Sequence, residues 1–402
     1  MVKHRIEDLA IFGGTPAFCD KLHVGCPNIG DRGCLRSRFD DILERKWLTN
    51  EGRYVREFEF HVCELLQVKH CVAMCNGTVA LEIAARALDL SGEVILPSFT
   101  FVATPNSLQW QGITPVFCDI DPMTHNIDST KVEELITSRT TGIMGVHVWG
   151  RPCDVADLTE IVNRRGLKLL FDSAHAFGCS HRGAMIGSFG DAEVFSFHAT
   201  KFINTFEGGA VVTNSDEVAQ KARYMKNFGF VDYDRTDHLG VNGKMNELSA
   251  AMGLTNIESM NDFIAINQTN YALYCNELHG MPGITPVRYN EREKSNYQYV
   301  VVEVDSAVTD ITRDDVVRVL HAEGILARRY FYPGCHRLEP YRSYFPHAGL
   351  VLPETEYLCD RVVSLPTGSA ISESDIQAVC AILKLIVSDG ACVSKRLRRL
   401  PI

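Results

Sequence analysis

Between residues 70 and 213, short apolar runs alternate with segments whose apolar positions recur every three or four residues. VILPSF (94–99), TPVFCDI (114–120), IMGVHVWG (143–150), LKLLFDSA (167–174), VFSFH (194–198) and GGAVVT (208–213) read as buried strands, being short, nearly continuous and apolar. VALEIAARALDL, DSTKVEELITS and DVADLTEIVNRRG read as the helices between strands. Continuous apolar strands separated by helices predict an α/β architecture, a mainly parallel sheet covered on both faces. In such sheets ligands gather at the carboxyl ends of the strands.

Residues 244–280 then read as one or two long helices ending at Gly280. After them the rhythm restarts. YQYVVVEV is a strand, TRDDVVRVLHAEG a helix, ILARRYFY a strand, and SESDIQAVCAILKLIV a helix opened by a Ser372/Asp375 capping box. The predicted organisation is a large α/β domain at 1–245, connecting helices at 246–281 and a smaller α+β domain at 282–402.

Composition narrows the function classes. The 402 residues are 46% hydrophobic and 22% charged, ordinary for a globular enzyme. A net charge of −10 argues against general nucleic-acid binding, which needs a basic face. It leaves room for a local pocket that takes one phosphorylated ligand. The 14 cysteines are scattered, form no CxxC pair and give no zinc motif; several sit in apolar runs as small core residues. They fit a reducing cytosol, so a cytoplasmic location is expected. MVKHRIEDLAIFGG lacks a signal-peptide apolar core, and no apolar run reaches the ~18 residues of a membrane span. The basic tail SKRLRRLPI is expected to be a solvated end.

Three features at predicted strand ends carry chemistry. Lys201 lies in FSFHATKFINTFEGGAVVTN, in a turn between two core strands and near His198, Thr200 and Asn204. A desolvated lysine has a lowered pKa, and its neutral amine can form a Schiff base. Asp172 closes the apolar strand LLFD, where a carboxylate is costly unless paired. It suits a cap or turn, and equally the role of holding a pyridinium nitrogen protonated. His175 follows three residues later, as a core histidine or a hydrogen-bond partner near a cofactor. Asn76, Gly77 and Thr78 lead directly into an amphipathic helix, whose N-terminal N–H groups suit a phosphate or an ordinary cap. Each feature alone has a structural explanation.

Taken in order, WLTNEGRYVREFE, NGTVALEIAARAL, LPSFTFVATPNSL, HVWGRPCD, FDSAHAFG, HATKFINTFEGGA, GVNGKMNELSAAMG and ARRYFYPGCH resemble the DegT/DnrJ/EryC1/StrS family of sugar aminotransferases. The resemblance runs across most of the chain, and the HATK…EGGA block is its most specific part. It implies fold type I, the aspartate aminotransferase-like fold, with pyridoxal 5'-phosphate (PLP) as cofactor. Lys201 matches the lysine that binds PLP and shuttles a proton. Asp172 matches the carboxylate beside the ring nitrogen, His175 the residue near the ring hydroxyl, and Phe101 the stacking aromatic. Gly77, Thr78 and Ser196 match phosphate contacts. Asn242 matches an asparagine reaching the phosphate from a second subunit, so a homodimer with its active site at the interface is implied. Arg329, Tyr330 and Tyr332 lie where relatives approach the nucleotide-sugar, with Thr49 and Asn50 as further candidates.

Within the family, HATKFINTFEGGA and ARRYFYPGCH look most like the transaminases that form dTDP-4-amino-4,6-dideoxy-D-glucose, with glutamate as amino donor. A 3-keto sugar nucleotide, the 4-amino galacto epimer and a keto-inositol are the sister activities. A PLP sugar dehydratase has histidine in place of Lys201, and a non-catalytic relative would lack the lysine or the aspartate. No GxGxxG opens a helix after a strand, which argues against a dinucleotide dehydrogenase. Two positions depart from the family pattern: Asn76 stands where many relatives have serine, and Trp149 where tyrosine is common.

Overall fold

The computed structural model describes residues 3–400. Seven strands form the central sheet: β1 (His70–Met74), β2 (Glu93–Pro97), β3 (Thr114–Cys118), β4 (Thr140–Val146), β5 (Lys168–Asp172), β6 (Ala192–Ser196) and β7 (Gly209–Thr213). Their order is β1-β7-β6-β5-β4-β2-β3. Neighbours from β6 through β3 run parallel, and β7 alone runs antiparallel to both β6 and β1. The predicted α/β class with a mainly parallel sheet is what the chain adopts.

Alternation along each strand builds a core on both faces. In β1, Val72 and Met74 pack with the helices Gly77–Ala87 and Asp216–Met225. Cys71 and Ala73 face the other way, into a cluster with the helix Arg53–Leu66 and with Ala250 and Leu254. A strand buried on both sides shows no polar alternation, which is why these strands read as continuous apolar runs.

The segment 244–280 is two helices, Glu247–Glu258 and Met260–Glu277, separated at Ser259. Beyond it, β8 (Ile284–Pro286), β9 (Val300–Val304) and β10 (Val362–Leu365) form a small antiparallel sheet. The helix Glu373–Ser388 covers it, opened by the expected Ser372/Asp375 capping box.

Four stretches differ from the sequence reading. DSTKVEELITS yields only Ser129–Val132 and a 3-10 turn at Glu133–Leu135, because the chain turns extended at Ile136. ILARRYFY forms a strand only at Ile325–Leu326, with one further bridge from Arg328 to Ser364, and Tyr330 and Phe331 go instead to a cavity wall. The basic tail begins inside a helix, Gly390–Leu397, with Val393 and Leu397 buried in the C-terminal core; Pro401 and Ile402 lie outside the described residues. The N-terminal residues, grouped by sequence with the large domain, pack on the small sheet. Leu9 is buried there, and Leu22–His23 pairs with Ile325–Leu326. Buried Glu323 accepts from the Ala10 and Ala17 N–H groups at 2.6 and 2.8 Å and pairs with Lys3 at 3.4 Å. Among the described residues no single helix is long and apolar enough to cross a membrane.

Candidate active site

Parallel order brings the carboxyl ends of β2, β4, β5 and β6 to one edge of the sheet. Antiparallel β7 starts at that same edge, since Gly209 pairs with Ser196 and with Met74. The turn between β6 and β7, which carries Lys201, therefore lies over the edge where Asp172 ends β5. A cavity of about 320 Å³ opens here. Gly77, Thr78, Phe101, Asp172, His175, Ser196, Lys201 and Tyr330 all line it, although they come from five separate stretches of chain.

Asp172 forms the floor. Its carboxylate is buried, accepting from Thr104 Oγ1 at 2.8 Å and from the Ala174 N–H at 3.1 Å. Burial raises its pKa, opposed by these two hydrogen bonds and by the charge of Lys201. Burial also depresses the Lys201 pKa to about 8, with Asp172 pulling it back up. His175 is buried, and its Nδ1 accepts from the Trp149 N–H at 3.1 Å. That bond leaves the proton on Nε2. Burial, with the Lys201 charge, holds this imidazole well below its ordinary pKa and thus neutral. Phe331 stacks on His175 at 5.8 Å, and Tyr299 tilts against it at 4.6 Å. The unusual Trp149 thus acts on the site through its backbone, which orients His175.

The opposite wall is the start of the helix Gly77–Ala87. Asn76 caps it, its side chain accepting from the Val79 N–H at 2.8 Å. The first N–H groups of a helix have no intrahelical acceptor. Gly77 is required by close approach: a Cβ there would fall 2.9 Å from Ser196 Cβ. The result is a cradle of backbone donors and hydroxyls for a dianionic group. Phe101 stands beside it with 56% of its surface exposed, an apolar face open to a ligand. A buried carboxylate, a phosphate cradle, an exposed aromatic face and an amine of lowered pKa together fit PLP.

The remaining candidates fall elsewhere. Arg329 pairs with Asp314 at 2.9 Å, and Tyr332 lies under the guanidinium groups of Arg313 and Arg329, so neither reaches the cavity. The arginine that lines it is Arg328, stacked on Tyr330 at 5.2 Å. Thr49, Asn50 and Asn242 are exposed and outside this chain's cavity. Besides Arg328, the sequence reading missed Thr104, Phe331 and Glu207 as site residues. Glu207 approaches His198 Nε2 at 3.5 Å on the rim. No spacing rule marks Thr104 or Phe331; an arginine pair at 328–329 was the signal for Arg328, and only the backbone tells the two apart.

Residues 33–384 match the DegT/DnrJ/EryC1/StrS aminotransferase family. The chain belongs to that family. Its relatives include dTDP-4-amino-4,6-dideoxy-D-glucose transaminases of Escherichia coli, 35% identical over 90% of this chain and 98% of theirs, and of Shigella dysenteriae, 37% identical over 86% and 93%. A GDP-perosamine synthase of Caulobacter vibrioides is 34% identical over 91% and 98%. Among solved structures, DesI in the presence of its TDP-sugar product superposes with a TM-score of 0.94. It is 49% identical, with 98% of this chain and 100% of that one covered. The fold is thus that of the family's sugar aminotransferases.

The lowered lysine pKa gives a direct test. In the PLP-free protein, labelling of Lys201 by an amine-directed reagent should titrate with a midpoint near 8. A midpoint at the ordinary lysine value would contradict the desolvated site. The stability sign follows. Between pH 8 and 10.5 the unfolded chain holds a proton on Lys201 that the folded chain has lost. This residue's contribution to stability therefore rises with pH across that window.

Proposed function

We propose that this chain is a PLP-dependent aminotransferase that moves the amino group of glutamate onto the keto carbon of dTDP-4-keto-6-deoxy-D-glucose. The observation that carries the reading is Lys201, with its pKa near 8, facing buried Asp172 across one cavity beside a helix N-terminus. The sugar assignment draws support from the transaminase relatives and from the TDP-sugar-bound structural neighbour. The reading includes a cytoplasmic location, supported by cysteines that are all free.

Each residue has a task. Lys201 Nζ is a base close enough to neutrality to accept the proton from the α carbon of the amino donor, and it returns a proton in the second half-reaction. Asp172, fixed by Thr104 and Ala174, keeps a proton on the ring nitrogen. Bound PLP supplies the electron sink for the carbanion. With PLP bound, His175 Nε2–H would donate to the ring hydroxyl, and the Gly77 helix terminus, Thr78 and Ser196 would hold the phosphate. Phe101 would cover the ring and exclude water. Arg328 and Tyr330 face the entering substrates, with a cation and a phenol suited to carboxylate and diphosphate oxygens.

The homodimer belongs to the same proposal. Asn242 is exposed on its own chain, and Phe228, Phe230 and Val241 beside it are exposed apolar residues that a partner would cover. In this reading Asn242, Thr49 and Asn50 complete the partner's cavity. Asn242→Ala subunits mixed with Lys201→Ala subunits should then recover part of the activity, since half of the sites in a heterodimer are intact. Heterodimers that form without any recovery would refute the crossing.

The reaction is tested by supplying the PLP-loaded protein with glutamate and dTDP-4-keto-6-deoxy-D-glucose and analysing the sugar by mass and NMR. A 4-amino product with an equatorial amine is expected. An axial amine would move the assignment to the galacto epimer. No product with this sugar, but amination of a GDP-linked keto sugar, would move it to the GDP branch.

A further inference from the structure

Lys201 sits in a turn with little backbone pairing of its own. Its main-chain bonds run from Lys201 N–H to His198 O at 2.8 Å and from Thr205 N–H to Phe197 O at 2.9 Å. The carbonyls on alternate residues around the lysine are taken by side-chain amides. Thr200 O accepts from Gln298 Nε2 at 2.9 Å, Phe202 O from Asn28 Nδ2 at 3.0 Å, and Asn204 O from Asn256 Nδ2 at 2.8 Å. Asn204 Nδ2 donates back to Asn28 O at 2.7 Å. All four amide residues are buried.

Three of them come from distant parts of the chain. Asn28 lies in the stretch leading to the helix Arg32–Arg45, Asn256 in the helix Glu247–Glu258, and Gln298 just before β9. The outer ends are tied as well. Asn256 Oδ1 accepts from the Gly30 N–H at 2.9 Å, and Ser369 Oγ donates to Asn28 Oδ1 at 3.1 Å. Gly25 belongs to the same strap: a Cβ there would lie 3.1 Å from Thr200 Cβ. Burying amides is costly unless they find partners, so three converging on the carbonyls of one turn, with Asn204 of the turn donating back, is a specific arrangement. Of the turn, His198, Thr200 and Lys201 line the cavity, whereas Phe202 and Asn204 are buried. Amides fix positions that water would leave free.

We propose that Asn28, Asn204, Asn256 and Gln298 are positioning residues. Asn28, Asn256 and Gln298 clamp carbonyls of the turn on either side of Lys201, Asn204 ties the turn back to Asn28 O, and together they set where Nζ stands relative to Asp172. Asn28, through Ser369, ties that position to the C-terminal unit. The proposal rests on the reading of Lys201 as the PLP lysine. A lysine side chain has four rotatable bonds, so its amine is placed only as well as its backbone is, and a displacement of about 1 Å costs roughly a hundredfold in rate.

The test compares PLP-loaded wild type with Gln298→Glu and Asn28→Asp, each of which replaces a donor by an acceptor of the same shape. Hydrogen exchange in the peptide spanning 198–206 should quicken by about tenfold, with other core peptides changed less than about twofold. The pH midpoint of the bound cofactor's visible band should move by about half a unit or more. kcat should fall by about tenfold or more, with KM for both substrates within about twofold. An unchanged midpoint with unchanged local exchange would overturn the proposal. So would exchange that quickens uniformly through the protein. Should either variant fail to fold, Ser369→Ala removes only the outer tie and is expected to shift the midpoint in the same direction by less; no shift would overturn the proposal. Failure of the underlying reading shows itself separately, as a Lys201→Ala protein that keeps the visible band of a lysine-bound cofactor.

Discussion

Lys201→Ala is expected to lower kcat by about 10⁴-fold or more while the melting temperature changes by only a few degrees. The activity loss is large because one amine both holds the cofactor and moves the proton in each half-reaction. The stability change is small because two effects oppose each other. Removing the side chain relieves the burial that depresses its pKa to about 8, but it also deprives Asp172 of the charge that favours its ionised form. Steady-state turnover and thermal denaturation read the two quantities independently. A variant retaining more than about 1% of wild-type turnover would remove Lys201 from the mechanism.

Asp172→Asn is expected to cost about 10²- to 10³-fold in kcat with little change in fold. The amide is the same size, yet it cannot reproduce the site. Asp172 accepts from Thr104 on one oxygen and from Ala174 on the other. An asparagine that keeps its oxygen on the Ala174 N–H presents an amide N–H to Thr104, whose hydroxyl must turn from donor to acceptor. It also lacks the negative charge that keeps a ring nitrogen protonated in a dry cavity. A second readout follows from the sign of the coupling. Asp172 raises the Lys201 pKa, so in the PLP-free variant the labelling midpoint of Lys201 should drop below about 8. Near-normal kcat, or a midpoint that rises, would contradict the role given to this carboxylate.

The strands were legible because burial on both faces leaves a plain apolar signature, as in LKLLFD and GGAVVT. The reversed direction of β7 was not, since an apolar run carries no sign of its direction. Lys201, Asp172 and His175 stood out because each is polar at the end of a buried strand. ILARRYFY misled for the opposite reason: aromatic residues that wall a cavity look like residues that face a sheet. Arg329 and Arg328 are adjacent, and only the backbone decides that Arg328 enters while Arg329 turns to Asp314. In the tail, Val393 and Leu397 are spaced one helical turn apart, but the surrounding lysine and arginines hid their burial. The N-terminal packing on the small sheet includes one buried acid, Glu323, more than 300 residues from the N–H groups it binds, a distance no local pattern spans.

The account stands on Lys201 as the residue that bonds PLP. Borohydride reduction of the PLP-loaded protein, followed by digestion and mass spectrometry, locates that bond. The account predicts one pyridoxyl group per chain, on the peptide that contains Lys201, and its loss when glutamate is added before the reductant. A group fixed on another lysine, or none above the level of the Lys201→Ala protein, would contradict it.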